Sequence, residues 1–128
     1  MSIFSKFSKK TVLVVEDDPA LNRALVEKLS RSGFIVQEVQ NGNDVIGAVQ
    51  IYKPDIILLD LMLPGRDGIS VLETLRGADM CFTKPVIILT NLQPDHTLKE
   101  SADRLRAQFL EKSDTKITEV AEYVKKLA

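Results

Sequence analysis

Residues Asp55 to Asp60 read Asp-Ile-Ile-Leu-Leu-Asp, an unbroken apolar run opened and closed by acids. A strand with one face in water alternates apolar and polar residues. A run without alternation suits a strand buried on both faces, as in the middle of a parallel sheet. Leu63-Pro64-Gly65-Arg66-Asp67-Gly68 follows closely and is turn chemistry, since Pro fixes φ and Gly permits positive φ. Asp60 therefore stands where a buried strand meets a loop, the edge at which open α/β sheets bind ligands. A carboxylate there does chemistry, holds a cation, or merely caps a turn. Asp60 alone does not decide between them.

The rest of the chain supplies partners for that strand. Thr11 to Val15 is a β-branched first strand ending in Glu16-Asp17-Asp18, with Asp18 an N-cap and Pro19 at the first helical position. The helix carries Leu21, Leu25 and Leu29 and stops at Gly33. Phe34 to Val39 is a second, less apolar strand that suits a sheet edge, and Asn41-Gly42-Asn43 turns into a helix bearing Val45, Ile46 and Val49. After Asp60 come a helix over Ile69–Arg76, a buried strand over Val86–Thr90, a polar helix from Pro94 to Ala107, and a short strand, Gln108 to Glu111. A last helix, from about Asp114 or Thr115, aligns Ile117, Val120, Ala121, Val124 and Leu127 on one stripe.

Strand and helix alternate five times, with no repeat, low-complexity tract or linker. Right-handed crossovers turn that pattern into a parallel sheet with helices on both faces, and five strands fit the flavodoxin-like order 2-1-3-4-5. One domain spans residues 11–128. Residues 1–10 form a leader, read as disordered or packed on the domain edge, although Ile3, Phe4 and Phe7 also suit one amphipathic turn. The net charge of −1 gives no general pull toward nucleic acid or membrane. No segment is long enough to span a bilayer and the leader lacks a signal peptide's apolar core, so a cytoplasmic protein is expected. Cys81 is alone, which excludes a disulfide framework; beside a buried-looking strand it reads as a structural thiol.

In that strand order, Glu16 and Asp17 end the first strand, Asp60 the third and Thr90 the fourth, while Lys112 closes the fifth. Four strand ends then deliver polar residues to one rim. Clustered carboxylates raise one another's pKa unless a cation shares the site. Oxygen ligands open to water favour Mg2+ over zinc, and no Cys or His cluster competes. A lysine beside the cluster and a hydroxyl across it make sense if Asp60 receives a phosphoryl group as an acyl phosphate.

VLVVEDDP, PDIILLDLMLPGRDG, PVIILT and FLEK together resemble the receiver domain of two-component response regulators, over Thr11 to Ala128. The resemblance implies a phosphorylation switch rather than a turnover enzyme. It makes Asp60 the phospho-acceptor, Asp17 a direct Mg2+ ligand, Glu16 a ligand through water and Met62 the donor of a backbone carbonyl to the metal. Thr90 becomes the switch hydroxyl, Lys112 the phosphoryl-binding lysine and Phe109 the switch aromatic. A histidine kinase or histidine phosphotransfer protein would donate the phosphoryl group. A downstream protein would read the surface made by the fourth helix, fifth strand and fifth helix. No DNA-binding or catalytic segment follows Leu127-Ala128 in the sequence, so output by docking is expected.

The chain departs from that pattern in four places. Ser113 stands where Pro commonly follows the lysine, and a trans Lys112–Ser113 bond is expected because a cis bond before a non-proline costs about 2.5–4 kcal/mol. Asn91 replaces a small residue after the switch threonine, and its amide could crowd the phosphoryl group. Arg106-Ala107 replaces Gly-Ala, so the fourth helix should be capped differently. Phe109 lacks the hydroxyl of a switch tyrosine. Two rival readings follow: a receiver-like interaction module that signals without phosphate, and a phosphatase with an aspartyl intermediate. Against the phosphatase, the position two after Asp60 is Met62, which cannot move a proton. His96, at a polar helix start, reads as solvated.

Overall fold

The computed structural model describes residues 9–128; the leader turn considered for Ile3, Phe4 and Phe7 lies outside them. Strands β1 (Thr11–Val15), β2 (Ile35–Val39), β3 (Ile56–Leu59), β4 (Val86–Thr90) and β5 (Ala107–Glu111) form one parallel sheet in the order β2-β1-β3-β4-β5. The helices are α1 (Pro19–Arg31), α2 (Val45–Tyr52), α3 (Gly68–Arg76), α4 (His96–Arg104) and α5 (Ile117–Leu127). This is the flavodoxin-like arrangement expected from the alternation of apolar runs.

Strand alternation sorts the core into two layers. Val12, Val14, Ile56, Leu58, Ile87 and Leu89 point to the face covered by α1 and α5, where Leu25, Leu29, Val120 and Val124 meet them. Leu13, Val15, Ile57, Leu59, Val86 and Ile88 point to the other face, against Val45, Val49, Leu72 and Leu75 of α2 and α3. All four residues of β3 are 2% exposed or less. Burying each is worth about 1.5–3 kcal/mol, so the strand that ends at Asp60 is among the most firmly anchored in the sheet.

The N-terminal helix starts where expected: the Asp18 carboxylate accepts from Ala20 N–H at 3.0 Å and Leu21 N–H at 3.4 Å, with Pro19 first in the helix. The fourth helix is shorter than the expected Pro94–Ala107. Asp95 caps it by accepting from Leu98 N–H at 2.8 Å, which leaves Pro94 outside. At its far end Arg106 turns left-handed at φ 57°, and Ala107 already belongs to β5. The last helix begins at Ile117, because a 3-10 turn over Lys112–Asp114 intervenes. Cys81 corrects the expectation of a structural thiol: it is exposed in the α3–β4 loop, its Sγ–H directed at Ala78 O, 2.8 Å away. No cis peptide occurs among the described residues, so Lys112–Ser113 is trans, as expected. No described helix is long and apolar enough to cross a membrane.

Candidate functional site

Sheet ladders carry the acids to the rim. Beyond β1, Glu16 N–H donates to Val39 O at 3.0 Å; beyond β3, Asp60 N–H donates to Val15 O at 3.0 Å. Each acid is thus held one residue past its strand by a further ladder bond, with Glu16 2% and Asp60 5% exposed. Asp17, next along the β1–α1 loop, is exposed. Oxygen atoms of Glu16, Asp17 and Asp60 lie within 4.8 Å of one another, with no His or Cys among them. That donor set suits a hard divalent cation such as Mg2+.

Lys112, just after β5, reaches across two strands. Its Nζ lies 2.6 Å from Glu16 Oε1 and 2.8 Å from Asp60 Oδ2. Burial pulls the Lys112 pKa down, but the hydrogen bonds and charges of Asp60 and Glu16 outweigh it, and the net direction is upward. Glu16 is also shifted up: burial is the largest cause and Asp60 adds to it, against the hydrogen bonds from Lys112 and Asp18 N–H. The remaining carboxylate oxygens are engaged by backbone. Glu16 Oε2 accepts from Asp18 N–H at 3.1 Å, and Asp60 Oδ1 from Met62 N–H at 3.0 Å. The ammonium is the neutralising charge of this pocket.

Thr90 is fully buried at the end of β4, and its hydroxyl accepts from Leu92 N–H at 3.4 Å rather than touching Asp60 or Lys112. Phe109 pairs in register with Ile88, which puts it on the same sheet face as Thr90, two residues along. It is half-buried and borders an open groove with Pro94, Lys99, Glu111 and Asp114. Met62 exposes its side chain and turns its amide inward. Sequence reasoning missed Asn22, which is 4% exposed and donates from Nδ2 to Glu16 O at 3.0 Å, fixing the loop that aims the acids. Its signal was a polar residue on the core stripe Asn22–Leu25–Leu29 of α1.

The family profile described as "Response regulator receiver domain" matches residues 12–125. This chain belongs to that family. Among solved structures, the receiver domain superposes on the BeF3-activated N-terminal receiver domain of Klebsiella pneumoniae RstA with TM-score 0.78 and 28% identity, covering 91% of this chain and 97% of that one. The receiver domain of Francisella response regulator 1452 gives TM-score 0.83 at 28% identity, covering 93% and 96%. In sequence, the receiver domain is 42% identical over 82 residues to the DNA-binding response regulator MtrA of Mycolicibacterium smegmatis, covering 64% of this chain and 35% of that protein. The chain spans about a third of the length of such curated relatives.

Proposed function

We propose that this receiver domain is a phosphorylation switch in which Asp60 accepts a phosphoryl group from a phosphohistidine of a histidine kinase or histidine phosphotransfer protein. The observation that carries the reading is Lys112 Nζ, 2.8 Å from Asp60 Oδ2 and paired with Glu16, at the mouth of an all-oxygen cluster. Glu16, Asp17, Asp60 and the Met62 carbonyl would hold Mg2+, which supplies charge neutralisation for the phosphoryl oxygens.

The chain's own groups divide the remaining work. An Asp60 carboxylate oxygen attacks phosphorus as the phosphorus–nitrogen bond of phosphohistidine breaks. The imidazole leaves with the electron pair of that bond. Lys112 trades carboxylate contacts for contacts with the phosphoryl oxygens. The Thr90 hydroxyl, which accepts a long bond from Leu92 N–H, turns toward them. Phe109, half-buried on the same face, then turns into the space behind Thr90. That biases the α4–β5–α5 surface toward the form a downstream protein reads. The domain acts on its own Asp60 and turns over no external substrate.

Phosphate-affinity electrophoresis after treatment with acetyl phosphate and Mg2+ tests the reading. Wild type should give a retarded band that Asp60→Asn lacks. A band that survives the substitution removes Asp60 from the role.

A further inference from the structure

We infer that Gly42, in the turn between β2 and α2, is a positioning residue that sets the pose of the loop following the acceptor Asp60, residues 61–67. The inference rests on Asp60 as phospho-acceptor beside a Mg2+ site. It concerns a residue that touches neither.

Two turns interlock through one glycine on each. Gly42 N–H donates to Pro64 O at 3.0 Å. A Cβ on Gly42 would lie 1.9 Å from the Arg66 carbonyl oxygen and 2.7 Å from its carbon. In the other direction, Gly65 sits at φ +85°, and a Cβ there would lie 2.2 Å from Asn41 Oδ1 and 2.7 Å from Asn43 Nδ2. Asn41 Oδ1 also accepts from Asn43 N–H at 2.8 Å, which keeps the turn closed. Gly42 is outside the left-handed region, so a side chain there is resisted by contact rather than by backbone strain.

The loop is tied at its far end as well. At its end, Gly68 N–H donates to Leu61 O at 3.0 Å, and a Cβ on Gly68 would lie 2.8 Å from Asp60 O. The Arg66 side chain is tied to α3, with Nε donating to Ser70 Oγ at 2.9 Å and Nη2 to Ser70 O at 3.1 Å. What a methyl on Gly42 meets is backbone, which cannot swing aside as a side chain would. The contact must open, and a shift of Arg66 runs along four residues to Met62, whose amide bonds Asp60 Oδ1. Gly47, in α2, is the matched control, because a Cβ there meets nothing within 4 Å.

The test measures amide hydrogen exchange by NMR on Mg2+-free protein, with Mg2+ affinity from isothermal titration beside it. In Gly42→Ala the Met62 amide should exchange about tenfold faster or more, while Val14 and Leu58 in the sheet keep their protection. Its Mg2+ affinity should fall by about tenfold, and Gly47→Ala should stay within about twofold of wild type in both readings. Should Gly42→Ala not fold, Asn41→Ala, which removes the carbonyl packed on Gly65, should show the same local loss at Met62. Met62 protection and Mg2+ affinity within about twofold of wild type would overturn the inference, as would a loss spread equally over the sheet amides. Faster Met62 exchange in a protein whose wild type binds no Mg2+ would keep the brace and reject the acceptor reading.

Discussion

Lys112 Nζ lies closer to Glu16, at 2.6 Å, than to Asp60, at 2.8 Å, although Asp60 is the proposed site of chemistry. Glu16 therefore has a structural partner of its own. It holds the ammonium at the mouth of the pocket, with only 13% of the lysine side chain exposed. A lysine, or a cation if one binds, answers the same need, positive charge beside clustered carboxylates.

That relationship predicts a conditional stability defect. Lys112→Met leaves two buried carboxylates without their counter-charge. Removing one partner of a buried pair costs about 3–5 kcal/mol, and the partial exposure here puts the loss near the low end. Thermal melts without Mg2+ should show a clear fall in Tm, and saturating Mg2+ should recover most of it. An unchanged Tm without Mg2+ would mean that the ion pairs contribute nothing.

The same contacts set a pH dependence. Folding raises the Lys112 pKa above its ordinary 10.5, so the folded state holds this proton more tightly than the unfolded one. The resulting stabilisation is complete below pH 10.5 and is lost as pH rises through the folded value. Urea titrations of Mg2+-free protein should show wild type losing stability faster than Lys112→Met above that pH. Parallel slopes would contradict the shift.

Asp17 is the exposed member of the acidic trio, and of those three carboxylates it is the one with no ion-pair partner among the described residues. If it ligates Mg2+ directly, a free Mg2+ concentration a hundredfold above Kd stabilises wild type by about 2.7 kcal/mol. Asp17→Ala should lose that gain while melting like wild type without Mg2+. An intact Mg2+ response in Asp17→Ala would exclude it as a ligand.

Asn22 acts on the same loop from beneath. Asn22→Ala removes the donor to the Glu16 carbonyl and leaves a buried acceptor unsatisfied, at a cost of about 1–3 kcal/mol. Chemical denaturation measures the loss, and a value near zero would show that the bond does not constrain the β1–α1 loop.

Arg76 is a clamp at the opposite end of the strands. Its guanidinium donates to the carbonyls of Leu105, Phe82, Lys84 and Arg106, at 2.7 to 3.2 Å, tying the end of α3 to the α4–β5 turn. Lysine cannot reproduce that fork. Arg76→Lys should lose about 2 kcal/mol, in the range for hydrogen bonds from a charged donor, and a wild-type midpoint in urea would contradict the clamp.

The three central strands and the rim they build are legible in the sequence for a physical reason. Burial on both faces leaves an unbroken apolar run inside β1, β3 and β4, so the first polar residue after each run marks the rim: Glu16, Asp60 and, as the last strand residue, Thr90. What stayed hidden depends on contacts between distant segments. The ends of α4 are set by the Asp95 cap and by the left-handed turn at Arg106, a residue type that does not announce positive φ. Cys81 sits beside apolar Phe82 in sequence but in an exposed loop in space. Nothing local in Asn41-Gly42-Asn43 says that its glycine faces the Arg66 carbonyl. Asn22 is the intermediate case, since its helical spacing was visible and its partner was not.

Phosphorylation at Asp60 is tested most directly by chemical mapping of the modified residue. Borohydride reduces an aspartyl phosphate to homoserine, and peptide mass spectrometry then locates the change. After treatment with acetyl phosphate and Mg2+, homoserine should appear at position 60 in wild type and at no position in Asp17→Ala treated alike. Homoserine at another aspartate, or an unmodified position 60 in phosphorylated protein, would contradict it.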